Sequence, residues 1–175
     1  MLRRWVVWMP LGLLLLMLLL FAHRLLTHDA GNTAINSPLM GQAVPAFSLP
    51  SLTQQPITQQ WFEQWANQPV LLNVWASWCP GCLEEHAFLS QLSEQGVVII
   101  GLNYKDDPKQ AQRWLQQHGN PFAEIIVDRS GTLALDLGVY GAPETYVIQA
   151  GVIQAKYVGV LSQTQWNETF ASFFE

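Results

Sequence analysis

The sequence predicts an α/β domain built on a mixed, mostly parallel sheet flanked by helices. Two observations carry this. Near-continuous apolar runs, 69–76 ("PVLLNVWA") and 97–104 ("VVIIGLNY"), alternate with stretches of helical period. Strands read that way when helices cover both faces of a parallel sheet. Later, the apolar stretches 145–149 and 152–159 are separated only by Ala150 and Gly151. That is hairpin spacing, and it adds antiparallel strands at the end.

The elements follow in order. Residues 45–52 ("PAFSLPSL") alternate as a short strand, and 58–66 ("TQQWFEQWA") read as a helix with Trp61, Phe62 and Trp65 on one side. After the first buried strand, Pro80 suits a first helical position, and the helical pattern runs to about Glu94 with Gly96 closing it. The second buried strand is followed by a fully punctuated helix, with Asp107 as cap, Pro108 at the first position and Gly119 past the end. Then come a strand (124–128), a turn at 129–131, a short helix (132–139), the hairpin, and a closing amphipathic helix over 162–174. The order is β-α-β-α-β-α-β-α-β-β-α.

The N-terminus differs. Arg3 and Arg4 precede an uncharged run, Trp5 to Ala22, whose eighteen residues span roughly 27 Å as a helix, close to a hydrocarbon core of about 30 Å. The run exceeds the apolar region of a cleaved signal peptide and ends without a small-residue cleavage pattern. The expected organisation is a cytoplasmic N-terminus (1–4), a transmembrane signal anchor (5–22), a polar linker (23–40) and one domain (41–175). The arginines place the N-terminus in the cytoplasm and the domain outside it, in a compartment that oxidises thiols. The net charge is −5 with no basic block, so nucleic acid is not an expected partner, and half the residues are hydrophobic, enough for a core.

Both cysteines lie in "WASWCPGCLEEH", at a strand-to-helix junction. Cys-x-x-Cys there points to dithiol redox chemistry. Cys79 falls at the helix N-terminus, where free N–H groups and the dipole favour a thiolate. It is expected to be the exposed attacking thiol, with Cys82 buried one turn in and resolving the mixed disulfide. A purely structural disulfide would close too small a loop to constrain the unfolded chain. Zinc needs four ligands and this is the one pair; His86 completes only a three-ligand set and is expected partly exposed on the helix flank, binding nothing. Haem attachment needs histidine right after the second cysteine, where Leu83 stands. The expectation is no cofactor beyond the Cys79–Cys82 disulfide, no metal, and a monomer. Trp78, beside Cys79, is expected on a docking surface with Pro80 and Gly81.

Three segments, "MGQAVPAFSLPSL", "LLNVWASWCPGCLEEH" and "LGVYGAPETYVI", resemble the thioredoxin superfamily and, within it, the membrane-anchored thiol:disulfide interchange proteins of cytochrome c maturation, the CcmG/DsbE family. The likeness runs from the anchor to the final helix. It implies a thioredoxin-like fold working as a periplasmic reductant anchored in the inner membrane. Its client would be apocytochrome c or another maturation protein, and its electron donor a membrane thiol transporter. Carried over residue by residue, it implies Cys79 as attacking and Cys82 as resolving thiol, Glu85 as the acidic residue behind them, Pro143 as a cis-proline and Glu144 as the acid after it. Ala142 would pair with an extended client strand. Val160 departs from the family's acidic residue at that place, so the partner surface there differs. The alternatives on the same fold are a general extracytoplasmic oxidant or isomerase, and a metal-carrying binding module.

Helical spacing separates the two glutamates. Cys82, Glu85, Leu89 and Leu92 share a stripe, so Glu85 is expected buried behind the cysteines while Glu84 points to the flank. A desolvated Glu85 would have a raised pKa, disfavour the Cys79 thiolate and take the proton of Cys82. Glu144 is expected to add a second negative charge from the facing loop.

Overall fold

The computed structural model describes residues 2–27, 39–52 and 55–175, with side chains in the first helix described over 9–23. The chain divides into two compact units, Met1–Thr33 and Ala34–Glu175. In the first, helix α1 runs Leu2–Thr27. Among the described residues, no helix is long and apolar enough to cross a membrane. The apolar run begins at Trp5, and the side chains of 5–8 lie outside the described residues, as does most of the expected linker.

In the second unit the strands are β1 (Ser48–Pro50), β2 (Pro56–Thr58), β3 (Val70–Trp75), β4 (Ile99–Tyr104), β5 (Glu124–Asp128), β6 (Glu144–Gln149) and β7 (Val152–Val158). The helices are α2 (Pro80–Glu94), α3 (Pro108–His118), α4 (Thr132–Asp136) and α5 (Gln163–Thr169), with 3-10 turns at Gln59–Trp65 and Ala171–Phe173. The central sheet has the order β5-β4-β3-β6-β7. β3–β4 and β4–β5 pair parallel; β3–β6 and β6–β7 pair antiparallel. The expected mixed sheet is therefore observed. Each of its edges is met by one isolated bridge: Ser51 to Ile126 of β5, and Ala43 to Val152 of β7. Unpaired edges invite aggregation, and these short N-terminal contacts shorten the open stretch of each.

Two apolar layers sandwich the sheet. Leu71, Trp75 and Val147 face one layer, with Leu89 and Leu92 of α2, Trp114 of α3 and Trp166 near the C-terminus. Leu72, Val74, Tyr146 and Ile148 face the other, with Phe62 and the α4 residues Leu133 and Ala134. Trp75 stacks on Phe122 with centroids 5.2 Å apart and tilts against Trp114 at the same distance. Such pairs contribute about 0.5–1.5 kcal/mol beyond area burial. Gly101 on β4 makes room for them, since a Cβ there would sit 2.6 Å from the Trp75 indole nitrogen.

Three local expectations are corrected. The strand expected over 45–52 narrows to Ser48–Pro50 and pairs with β2, a strand the pattern did not suggest. The helix expected over 58–66 is a 3-10 turn, whose Phe62 is buried while Trp61 and Trp65 are partly exposed. The closing helix stops at Thr169, and 171–173 form a separate 3-10 turn.

Candidate active site

The dithiol motif sits where β3 ends. Ala76–Cys79 form a turn closed by the Cys79 N–H on the Ala76 carbonyl (3.2 Å), and α2 begins at Pro80 with Cys79 as its N-cap. Proline costs nothing at that first position, whose amide has no helical partner. The Cys79 Sγ accepts from the Cys82 amide at 3.1 Å. This is the contact by which a helix N-terminus stabilises negative charge on sulfur. The two sulfurs are bonded, with 5.3 Å between the Cα atoms. Cys82 is buried as expected, but Cys79 is only 4% exposed, against the expectation of an open thiol. Its sulfur is turned inward by the bond to Cys82 and the contact with the helix amide.

Three loops meet at this turn. A Cβ on Gly81 would lie 3.1 Å from the Pro143 Cδ and 3.2 Å from a Val160 methyl carbon. Gly81, Pro143 and Val160 are therefore in contact range across the motif, and the Ala142–Pro143 bond is cis. Trp78 is 54% exposed, with its indole N–H on the Lys105 carbonyl at 3.1 Å. Pro80 is exposed, and Ala142 half-buried.

Glu85 is 1% exposed. Its Oε1 accepts from the Asn73 amide nitrogen and its Oε2 from the Leu161 N–H, both at 2.7 Å. Burial pushes its pKa up to about 7, and the Leu161 and Asn73 hydrogen bonds only partly offset that. Cys82 and Glu85 are three residues apart on one helix, which sets their Cβ atoms about 5–6 Å apart. Glu84 is exposed. Tyr157 is close enough that burial and the charges of Glu168 and Glu85 together raise its phenol. A carboxyl half-protonated near neutrality, one turn behind the resolving cysteine, is suited to accept and return a proton.

The structure places Glu144 differently from the expectation. Asn73, Thr145 and Glu85 form one hydrogen-bonded group, whereas Glu144 lies with Tyr146 on the other face of β6. Its carboxylate pairs with Lys156 at 3.0 Å, both side chains buried, so its charge is compensated. It also accepts from the Tyr140 and Gly141 amides (2.6 and 3.1 Å) and the Tyr146 hydroxyl (3.0 Å). These bonds pin the chain just before Ala142–Pro143. Lys156 donates to the Gly138 carbonyl at 2.7 Å and lies over the Tyr140 and Tyr146 rings. The Glu144 carboxylate is thus tied to Lys156 and to the chain just before the proline.

His86 is buried, not partly exposed as expected. Its Nε2 lies 3.2 Å from the Gly119 carbonyl and its ring meets Trp114 edge-on. Burial pushes the imidazole below its usual pKa. Among the described residues, no group of three or more His, Cys, Asp or Glu side chains is placed to hold a metal.

Sequence reasoning missed Asn73, the Leu161 amide and Lys156. A signal existed for two of them: Asn73 is the lone polar residue of the strand "VLLNVW", and Lys156 is the lone charged residue of "VIQAKYV". Buried polar groups of that kind need partners, so they mark a network.

A family model described as Redoxin matches residues 39–172. Among curated proteins, the thiol:disulfide interchange protein DsbE of Vibrio cholerae serotype O1 is 44% identical over 175 residues, covering 97% of this chain and 94% of that protein. The protein of the same name from Pseudomonas aeruginosa is 45% identical over 174 residues, covering 99% and 94%. Among solved structures, DsbF of Mycobacterium tuberculosis, in its mixed oxidised and reduced forms, superposes with a TM-score of 0.61 at 22% identity, over 71% of this chain and 95% of that one. At that identity the likeness concerns the fold.

Proposed function

We propose that this chain, which belongs to the Redoxin family and to the DsbE thiol:disulfide interchange proteins and is a thiol-disulfide oxidoreductase, acts as a reductant in cytochrome c maturation. In this reading the Cys79 thiolate attacks one sulfur of a client disulfide, and the client's other sulfur leaves as a thiolate. Cys82 then gives its proton to Glu85 and attacks the Cys79 sulfur. The Cys79–Cys82 bond forms, the mixed disulfide breaks, and the client's second sulfur leaves and regains a proton. The client gains two electrons and the dithiol loses them. The bonded cysteines correspond to the spent form, so a dithiol donor must regenerate the reductant.

The observation that carries the direction is Glu85. A buried carboxyl behind the pair disfavours a Cys79 thiolate whenever it is ionised. A less stable thiolate makes the dithiol form less stable, and hence a stronger reductant. The clients are apocytochrome c or a partner maturation protein, and the donor is a membrane thiol transporter. Trp78, Pro80, Gly81 and Ala142 line the approach to the disulfide. The run 5–22 anchors the domain in the inner membrane, with residues 41–175 in the periplasm.

Reduced protein mixed with a disulfide-bonded Cys-x-x-Cys-His apocytochrome peptide should reduce one peptide per dithiol. The Cys82→Ala variant should accumulate a mixed disulfide through Cys79. Absence of exchange, or trapping through Cys82 in Cys79→Ala instead, contradicts the assignment. For the anchor, alkaline phosphatase fused after Met40 should be active in cells, and an inactive fusion contradicts the topology.

A further inference from the structure

Asp106, in the loop just past β4, is only 7% exposed, and its four hydrogen-bond donors carry no formal charge. Its Oδ2 accepts from the Ser77 N–H at 2.6 Å and the Asn103 amide nitrogen at 2.9 Å. Its Oδ1 accepts from the Ser77 hydroxyl and the Asp107 N–H, both at 2.8 Å. Burying a carboxylate is costly unless donors replace its water, and four donors do so here. Two of the four come from Ser77, two residues before Cys79 and 29 positions away in sequence. The next residue back, Lys105, holds a positive φ of 47°, a conformation a lysine adopts rarely and which tends to persist where the surroundings enforce it. Its carbonyl receives the Trp78 indole N–H. Ser77 and Trp78 are the two central residues of the turn that delivers Cys79 to the helix N-terminus.

We infer that Lys105–Asp106 is a clamp on the Ala76–Cys79 turn, and that Asp106 is a positioning residue for the attacking thiol. It acts through Ser77, holding the Cys79 sulfur against the Cys82 amide. The inference rests on the proposed role of Cys79. Three bonds cross from one loop to the other, and the remaining two tie Asp106 to Asn103 of β4 and to the next residue, Asp107, so the clamp is anchored at its own base.

Position and charge make opposite predictions. Without the clamp, Cys79 loses registry with the helix amides and its thiolate becomes less stable. Without the carboxylate's charge alone, the thiolate would become more stable. The test uses the full-length reduced protein, with iodoacetamide as probe, peptide mapping of the alkylated site, and the rate followed against pH. In Asp106→Asn the Cys79 pKa should rise by about one unit, so that alkylation below both pKa values slows about tenfold. Ser77→Ala, which removes one bond of the clamp, should slow it in the same direction by less, and it serves if Asp106→Asn does not fold. Asp107→Ala, which removes only the α3 cap, should lower the melting temperature and leave the Cys79 pKa in place. An unchanged or lowered Cys79 pKa in Asp106→Asn and Ser77→Ala overturns the inference. Alkylation of the wild-type protein at Cys82 first overturns the role of Cys79 itself, and the inference with it.

Discussion

Replacing Glu85 by glutamine removes one charge from a buried site and keeps its shape. In the folded protein burial raises the Glu85 pKa from 4.5 to about 7, against the Leu161 and Asn73 hydrogen bonds. A rise of this size corresponds to about 3 kcal/mol of preference for the neutral acid. Because the folded value lies above the unfolded one, this contribution is fully present below pH 4.5 and is lost as pH climbs through 7. Glutamine presents an N–H₂ to either Asn73 or Leu161, both of which donate here, so one buried donor is left facing another. That penalty, about 1–3 kcal/mol, does not vary with pH. The unfolding free energy of the disulfide form, measured in denaturant at a series of pH values, separates the two effects. The variant should gain on the wild type by about 3 kcal/mol between pH 4 and pH 9, whatever its starting offset. Glu84→Gln, at an exposed position, should give a flat difference. A flat difference for Glu85→Gln would refute the reasoning, because a carboxyl that ionises normally cannot hold the proton of Cys82 near neutrality.

The same substitution should make the protein a weaker reductant, raising the reduction potential by tens of millivolts, about 30 mV for each 1.4 kcal/mol; a shift toward more reducing values, or an equal shift in Glu84→Gln, contradicts the mechanism. Lys156→Met leaves the Glu144 carboxylate buried without its cation. It should cost about 3–5 kcal/mol in denaturant unfolding, and a loss under 1 kcal/mol would show that the pair does not hold the proline loop. Gly81→Val drives side-chain atoms into Pro143 and Val160. It should destabilise by about 1–3 kcal/mol, with part of the loss recovered by adding Val160→Ala; an undisturbed single variant would deny the contact.

Much of the fold is written locally, and so it was legible. Asp107 caps α3 through the Lys109 and Gln110 amides, Gly96 and Gly119 adopt positive φ just past their helices, and Ala150–Gly151 turn the hairpin with positive φ at both positions. The stripe Cys82, Glu85, Leu89 follows from the helical repeat alone, and all three are buried. What escaped depends on residues distant in sequence. β2 is three residues long and exists by pairing with β1, which no periodicity over so short a span can announce. Glu144 looked like a free charge because nothing local reveals Lys156 across the hairpin. Cys79 looked exposed because a helix N-terminus usually is, yet the bonded sulfur points into the fold.

The central claim is that the Cys79–Cys82 pair supplies electrons outside the cytoplasm. The most direct measurement is its redox state in growing cells, fixed by acid quenching and read by alkylation with a maleimide heavy enough to shift the protein on a gel. The account predicts that most of the protein carries two free thiols while its electron donor is present, and that the pair becomes a disulfide when the donor is removed. A pair that is almost wholly disulfide in cells with the donor intact would contradict it.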